Sequence, residues 1–473
     1  MNNSTLRGMS IGPLPYVVAA TFFMEYLDTT IIATGLPQMA RSFGTSPNSL
    51  GLGMSAYMIA LAVFIPASGW VADRFGSRSV FFTAIVTFTL ASLLCGVARD
   101  VAQFTAARVL QGVGGALMVP VGRLTVVRSV DKKHLMQAIS TITWPGIVAP
   151  VVGPPLGGFI ITYASWRWIF LLNLPVCIAV LVAVIRWVPN LRSEDRRPFD
   201  VGGLILSGVA LTAILYGAGI ASQSDTNPWS GIAVIGVGVM VGAIAYRHLL
   251  ARPYPLVDVT TLRIPTFSVT VVTGTITRIG IGAVPYLMPL LFQIGFGLSA
   301  FQAGLLLLAS ALGNLGMKTL TTTVLKRCGF RNVAIVNCLI CGIFTITCGL
   351  LTPASPLALT LLIVFVYGAT RSMQFTSLAT LAYADVPVPQ ISGANTMWNA
   401  AQQMSIGLGI AFGALALRVA SSFHERSMAL ADSFTLHDFR FAFQCAGALT
   451  LVSIYGYAKL TYDAGRKLSG SSR

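Results

Sequence analysis

Asp73-Arg74-Phe75-Gly76-Ser77-Arg78 stands between two long apolar runs, and Lys326-Arg327-Cys328-Gly329-Phe330-Arg331 stands between two others. Arg, Gly and Arg recur in the two hexamers at one common offset of 253 residues. Chance supplies one basic turn with a central glycine easily. Its return at the matching loop of each half favours an internal repeat, a common plan in proteins that span a bilayer.

The rest of the chain fits that reading. Of its 473 residues, 55% are hydrophobic and only 10% charged, against roughly 25% charged in soluble domains. A water-soluble globule of this length does not hide so much apolar surface. Runs of about twenty apolar residues mark bilayer spans. They predict helices near 14–36, 50–72, 79–97, 102–124, 137–162, 168–188, 201–221, 231–249, 266–292, 301–321, 332–351, 357–381, 393–417 and 441–460. The first run ends in the polar Glu25-Tyr26-Leu27-Asp28, so it reads as a retained helix and not as a cleaved signal. With the repeat, the fold class is an all-α polytopic membrane protein. Its expected division is a six-helix bundle in 1–200, an inserted pair of helices in 201–250 and a second six-helix bundle in 251–473.

Loop charges orient the chain. With Met1 in the cytoplasm, the cytoplasmic side collects Arg74, Arg78, Arg123, Arg128, Lys132, Lys133, Arg186, Arg192, Arg196, Arg197, Arg247, Arg252, Arg263, Lys318, Lys326, Arg327, Arg331 and both basic termini. The other side holds Arg41, Arg99, Arg167, Arg418, Arg426 and Arg440. The asymmetry follows the positive-inside rule and puts both termini in the cytoplasm. It also accounts for the net charge of +16 without nucleic acid. The seven cysteines read as small core residues. The four histidines sit at helix ends or in loops, and no metal site is readable.

Charges inside a membrane are expensive, so each is a functional candidate. Glu25 and Asp28 are three residues apart on one face of the first helix. At about 1.5 Å per residue they lie roughly 16–22 Å deep. Arg278 lies roughly 18 Å into the ninth span. The repeat offset carries Glu25 onto Arg278, so both are expected to face one central cavity. A carboxyl held between an apolar wall and an arginine can gain and lose a proton as the cavity opens to each side. Asp28 is the expected main proton-coupling group, with Glu25 as helper or substrate contact. The alternative is a fixed ion pair locking helices 1 and 9. Arg108 either snorkels outward or faces the cavity and tunes the proton site. Arg371 lies within the twelfth span, as a cavity residue or as a ligand to backbone carbonyls.

Helix 5 carries Pro145, Gly146, Pro150, Gly153, Pro154, Pro155, Gly157 and Gly158. Small residues let helices approach closely in lipid, and prolines remove backbone donors and bend a helix. A bent helix pressed on a partner, closing one side of the cavity, is expected. In Gly69-Trp70-Val71-Ala72-Asp73-Arg74-Phe75-Gly76-Ser77-Arg78 an acid ends helix 2 above a basic turn. It reads as a gate latch for the outward-open state, or as simple positive-inside anchoring.

These stretches resemble the major facilitator superfamily, specifically its fourteen-helix drug:proton antiporters. Leu27-Asp28-Thr29-Thr30-Ile31-Ile32 with Leu36-Pro37 looks like that subgroup's helix-1 motif. Residues 69–78 match its loop 2–3 motif, and Arg108 to Gly115 its helix-4 motif, whose Arg is implicated in proton transfer. Gly153-Pro154-Pro155-Leu156-Gly157-Gly158 matches the antiporter motif, and Ser165-Trp166-Arg167-Trp168-Ile169-Phe170 with Asn173 and Pro175 is typical of the subgroup. Phe81–Cys95 and Leu110–Val126 look especially like an enterobacterial branch. Two departures stand out: Ala33-Thr34-Gly35 replaces the usual Asn, and Ala149 the first helix-5 Gly.

The resemblance implies proton-coupled export of small amphipathic molecules from the bacterial inner membrane by a monomer. The proton gradient is the energy source and no cofactor is required. A dedicated exporter of one metabolite or siderophore is the alternative. No nucleotide loop, nucleophile with a base, or soluble domain speaks for an enzyme. The expected substrate cavity comprises Glu25, Asp28, Arg278, Arg371, Trp144, Tyr286 and Trp398, with Phe22, Phe23, Met24, Tyr26 and Met288.

Overall fold

The computed structural model describes residues 12–130, 132–192, 198–221, 227–387, 390–424, 434–461 and 464. Arg196, Arg197, Arg426 and both terminal segments, used above to orient the chain, lie outside them, as do the side chains of Lys132 and Lys133. Among the described residues there are helices and no strands.

Among the described residues, fourteen helices are long and apolar enough to cross a membrane. They are α1 (Leu14–Phe43), α2 (Ser49–Phe75), α3 (Ser77–Val97), α4 (Val101–Ser129), α5 (Gln137–Tyr163), α6 (Trp168–Trp187) and α7 (Val201–Ala221). Then follow α8 (Trp229–Ala251), α9 (Pro265–Gly295), α10 (Ala300–Cys328), α11 (Phe330–Gly349), α12 (Leu357–Ala382), α13 (Gly393–Ser422) and α14 (Leu436–Ala458). Each predicted span has its counterpart. Several helices outrun the apolar run that announced them, because a helical backbone satisfies its own hydrogen bonds beyond the hydrocarbon layer. Thus α1 passes through a 3-10 turn at Ile32–Gly35 and continues to Phe43, where Gly44 at φ 64° ends it. Large apolar side chains such as Val182, Val239, Met240 and Tyr455 lie on the outer surface, as a lipid environment requires.

Within the first six helices, α2 packs on α4, α3 on α4 and α1 on α5. Within the last six, α9 packs on α13, α10 on α12 and α11 on α14. Two junctions join the sets, α2 with α13 and α5 with α10. The repeat maps α2 onto α10 and α5 onto α13, so it exchanges one junction for the other. The repeated turns agree in detail. Gly76 (φ 95°, ψ 134°) and Gly329 (φ 75°, ψ 156°) each break a helix for one residue with the same backbone conformation. A Cβ is strained there, which explains why both hexamers keep glycine.

α7 and α8 pack on each other, and α7 lies along both α2 and α13. Asp200 anchors their basic end. Its Oδ1 accepts from the Gly203 amide at 2.8 Å and lies 2.8 Å from His248 Nε2, and its Oδ2 accepts from the Leu256 amide at 3.2 Å. At the other end Arg418 of α13 donates to the Ala221 carbonyl at 2.7 Å.

Candidate functional site

A cavity of about 1550 Å³ lies between the two six-helix sets. Its wall comes from α1, α2, α4 and α5 on one side and α9, α10, α12 and α13 on the other. It opens at the end carrying Arg74, Arg128, Arg192 and Asp258. The opposite end is shut by close helix crossings. A Cβ on Gly158 of α5 would run into the Ala300 and Phe301 backbone of α10, and one on Gly304 of α10 into Pro154 and Pro155. The Phe301 amide donates to Thr162 Oγ1 at 3.1 Å, and Gln293 Nε2 to the Thr34 carbonyl at 3.1 Å. On the other junction Gly51 of α2 lies against Tyr286, and Ser55 Oγ donates to the Gly407 carbonyl at 3.3 Å.

Helix 5 therefore serves two partners. Gly153 and Gly157 admit Thr30, Ile31 and Thr34 of α1, whereas Gly158 admits α10. Its helical path is interrupted at Trp144, with Pro150, Pro154 and Pro155 inside the following segment. Pro150 and Pro154 also line the cavity.

Asp28 sits behind the wall, buried to 1% exposure. Arg108 Nη1 donates to its Oδ2 at 2.6 Å, and Gln111 Nε2 to its Oδ1 at 2.9 Å. Asn173 Nδ2 of α6 approaches the same Oδ1 at 3.4 Å. Gln111 closes the network by accepting from Arg108 at 2.6 Å and donating to Ser92 Oγ at 2.9 Å. The Tyr57 ring lies 4.1 Å from the Arg108 guanidinium. Arg108 is thus a buried partner of Asp28 and does not snorkel. Four helices of the first set meet at this network, and α2 covers it. The sequence reading gave no role to Gln111, Asn173, Ser92 and Tyr57. Gln111 carries a local signal, three residues from Arg108 and hence on its face, and Asn173 stands in a motif typical of the subgroup.

Glu25 has a different setting. It lines the cavity, and its buried Oε2 has no hydrogen-bond partner. Gly115 on α4 leaves room for it.

Several expected cavity residues stand elsewhere. Arg278 is not paired with Glu25. It is turned within its own set toward α13, with the Trp398 ring 4.6 Å from its guanidinium, Ser405 Oγ 3.5 Å from Nε and no partner on Nη1. The repeat offset equates sequence positions, but α9 is rotated so that α13 covers this face. Trp398 is buried against Arg278, and Tyr286 is buried in the closed junction; neither lines the cavity. Trp144 is 64% exposed and lies outside the wall, at the interruption of helix 5. Asp28 is also outside the wall. Arg371 does line it, 5.7 Å from the Phe375 ring, as do Phe22, Tyr26 and Met288. Met24 instead packs on Cys177 at 3.4 Å.

At the open end Asp73 accepts from Arg128 at 2.6 Å, which ties α2 to α4 within one set. Gly69 and Arg74 line the cavity, Gly76 lies against Asn190, and Arg78 is exposed. Among the described residues no group of three His, Cys, Asp or Glu could hold a metal ion. All seven cysteines are unbonded.

Residues 18–414 match the Major Facilitator Superfamily model. The chain belongs to the major facilitator superfamily. A Serratia proteamaculans protein named "Putative multidrug resistance protein MdtD" is 35% identical over 95% of this chain and 93% of its own length. Its Salmonella typhimurium namesake is 35% identical over 97% of each. Among solved structures, the D-xylose-proton symporter superposes with a TM-score of 0.67 at 16% identity, over 95% of this chain and 98% of its own. The peptide transporter PepTSo reaches 0.70 at 12%, over 95% and 98%. These superpositions bear on the superfamily fold, which this chain shares. The chain is thus a multi-pass membrane transporter of small molecules and not an enzyme.

Proposed function

We propose that this transporter exports small amphipathic molecules in exchange for protons. It works by alternating access in the bacterial inner membrane, as a monomer with both termini cytoplasmic. Two six-helix units, 1–200 and 251–473, rock about the cavity, and the pair in 201–250 lies alongside. The observation that carries this reading is the cavity itself, closed at one end and open at the basic end, with an unpartnered carboxylate in its wall. With the basic end cytoplasmic, the conformation is inward-open and ready to load substrate from inside.

Glu25 is the exchanging carboxyl. Its Oε2 is free, whereas both Asp28 oxygens are engaged. A proton and a cationic group of the substrate compete for Glu25, which is what exchange requires. Asp28, held by Arg108, fixes the charge behind it and keeps α1 seated on α4. Asp73 and Arg74, with Gly69, Gly76 and Arg78, form the gate at the cytoplasmic end. The small face of α5, from Pro150 to Gly158, seals the outer end.

The test is substrate uptake into inverted membrane vesicles with and without an imposed proton gradient. Glu25→Gln should abolish gradient-driven uptake while leaving exchange of labelled for unlabelled substrate across the membrane. Unchanged gradient-driven uptake in Glu25→Gln would falsify the coupling role. A panel of chemically unrelated compounds separates a multidrug exporter from one dedicated to a single metabolite.

A further inference from the structure

Away from its mouth, where Asp73, Arg74, Arg123, Arg128, Arg192 and Asp258 gather, the cavity carries an acid on one wall and bases on the other. On the first wall, within the membrane, stands the Glu25 carboxylate. On the second stand Lys318 of α10 and Arg371 of α12. Arg371 lies roughly 21 Å along α12 from Leu357, and Lys318 roughly 15 Å along α10 from Cys328. The basic residues Arg74, Arg123, Arg128 and Arg192 belong to the mouth; Arg123 is roughly 9 Å from the end of α4.

Within its membrane helices the second wall has no acid to neutralise it; Asp258 lines the cavity at the mouth. The sequences of α9 to α13 contain no Asp or Glu, and α14 has only Asp438, which is engaged with Thr435 in its first turn. Neither Lys318 nor Arg371 forms an ion pair among the described residues. Arg371 lies 5.7 Å from the aromatic face of Phe375. Arg371 is half-buried and Lys318 is exposed in the open cavity, and closing the cavity over these cations is costly unless something negative answers them. The neighbouring lining groups, Asn314, Gln402 and Gln403, are polar but neutral.

We propose that the transported molecule is zwitterionic: an amine held by Glu25 on one wall and an acid group held by Lys318 and Arg371 on the other. Arg371 supplies a planar fork suited to a carboxylate, and Lys318 a point charge. Its apolar part lies between Phe22, Tyr26, Met288 and Phe375. Such a molecule bridges the two six-helix sets, so binding itself draws the walls together. The amine end competes with the proton at Glu25, whereas the acid end does not. The inference rests on the exporter reading and narrows its substrate class. A lipophilic cation would leave the second wall uncompensated.

Three probes that share one fluorescent skeleton separate the cases: Nε-dansyl-L-lysine, its methyl ester and its Nα-acetyl derivative. They are zwitterion, cation and anion. Saturable binding to the full chain in nanodiscs, without a gradient, is expected to favour the zwitterion by at least about tenfold over either derivative. Replacing Lys318 and Arg371 with Gln should bring the zwitterion-to-ester ratio close to one, and Arg371→Lys should keep most of it. Glu25→Gln should bring the zwitterion-to-acetyl ratio close to one. Equal or tighter binding of the ester overturns the inference. So does a ratio indifferent to Lys318 and Arg371, or no saturable binding of the zwitterion. Proton-driven uptake of the ester into inverted vesicles, with no zwitterion preference, sinks this inference and leaves the export reading standing. The converse result, preference without proton-driven uptake, sinks the export reading alone.

Discussion

Arg108 and Asp28, 80 residues apart in sequence, meet at 2.6 Å with both side chains 1% exposed. The pair joins α4 to α1, and Gln111 occupies the remaining Asp28 oxygen. Removing one partner leaves a buried charge unanswered, which costs about 3–5 kcal/mol. Arg108→Ala should therefore lower the thermal unfolding midpoint of the purified protein sharply. The double replacement Arg108→Ala with Asp28→Ala should cost less than the sum of the two single ones. Additive losses would mean that the two charges do not stabilise one another.

The seal at the closed end of the cavity depends on bare backbone contact at Gly158 and Gly304. Gly158→Leu puts a side chain where the Ala300 carbonyl lies, so α5 and α10 cannot close. A cysteine at Gln293, whose side chain bonds Thr34 across the seal, should then react with a membrane-impermeant maleimide from the outer face. Labelling should rise above that of the same cysteine in the Gly158 background, and transport should fall. Unchanged labelling would show that another contact makes the seal.

Asp200 gives a pH-dependent prediction outside the membrane. Burial by itself pushes its carboxyl up, but the bond with His248 and the amides of Gly203 and Leu256 outweigh that and hold it below the ordinary aspartate value. A carboxyl depressed in the folded state stabilises above its unfolded value and loses that contribution as pH falls through its folded value. Asp200→Asn keeps a capping oxygen but removes the negative charge at the N-terminus of α7, which should cost about 0.3–1 kcal/mol at neutral pH. The gap in unfolding temperature between parent and variant should shrink as the pH is taken below about 4. A gap independent of pH would mean that the charge of Asp200 contributes nothing.

The two repeated turns should differ in tolerance. Both glycines have positive φ, so alanine at either costs about 1–3 kcal/mol in strain. A Cβ at Gly76 also meets Asn190, whereas nothing lies near Gly329. Gly76→Ala should therefore destabilise more than Gly329→Ala, as read by thermal unfolding of the two variants side by side.

Much of this molecule was legible before its coordinates. The spans were, because twenty apolar residues need a bilayer. So were the charges worth attention, Glu25, Asp28, Arg108, Arg278 and Arg371, because each is costly where it stands. What they face was not. Arg278 reads as the counterpart of Glu25 by its offset, yet it is turned to Trp398. Trp144 looked like a cavity aromatic and lies outside the wall. Lys318 was counted only as a loop charge and lines the cavity. Asn173 and Ser92, on α6 and α3, join the Asp28 network only through packing.

The sequence by itself determined the membrane class, the fourteen spans, the charge asymmetry between the two sets of loops and the pair of glycine turns that mark the repeat. Each of these follows from transfer energies and backbone limits that act residue by residue along the chain. Only the tertiary structure decided which buried charge is answered, which stands open to the cavity and which end is shut. Those outcomes depend on the rotation of each helix about its axis and on the neighbour it meets, and a turn of about 100° per residue lets distant packing move a side chain from wall to interior.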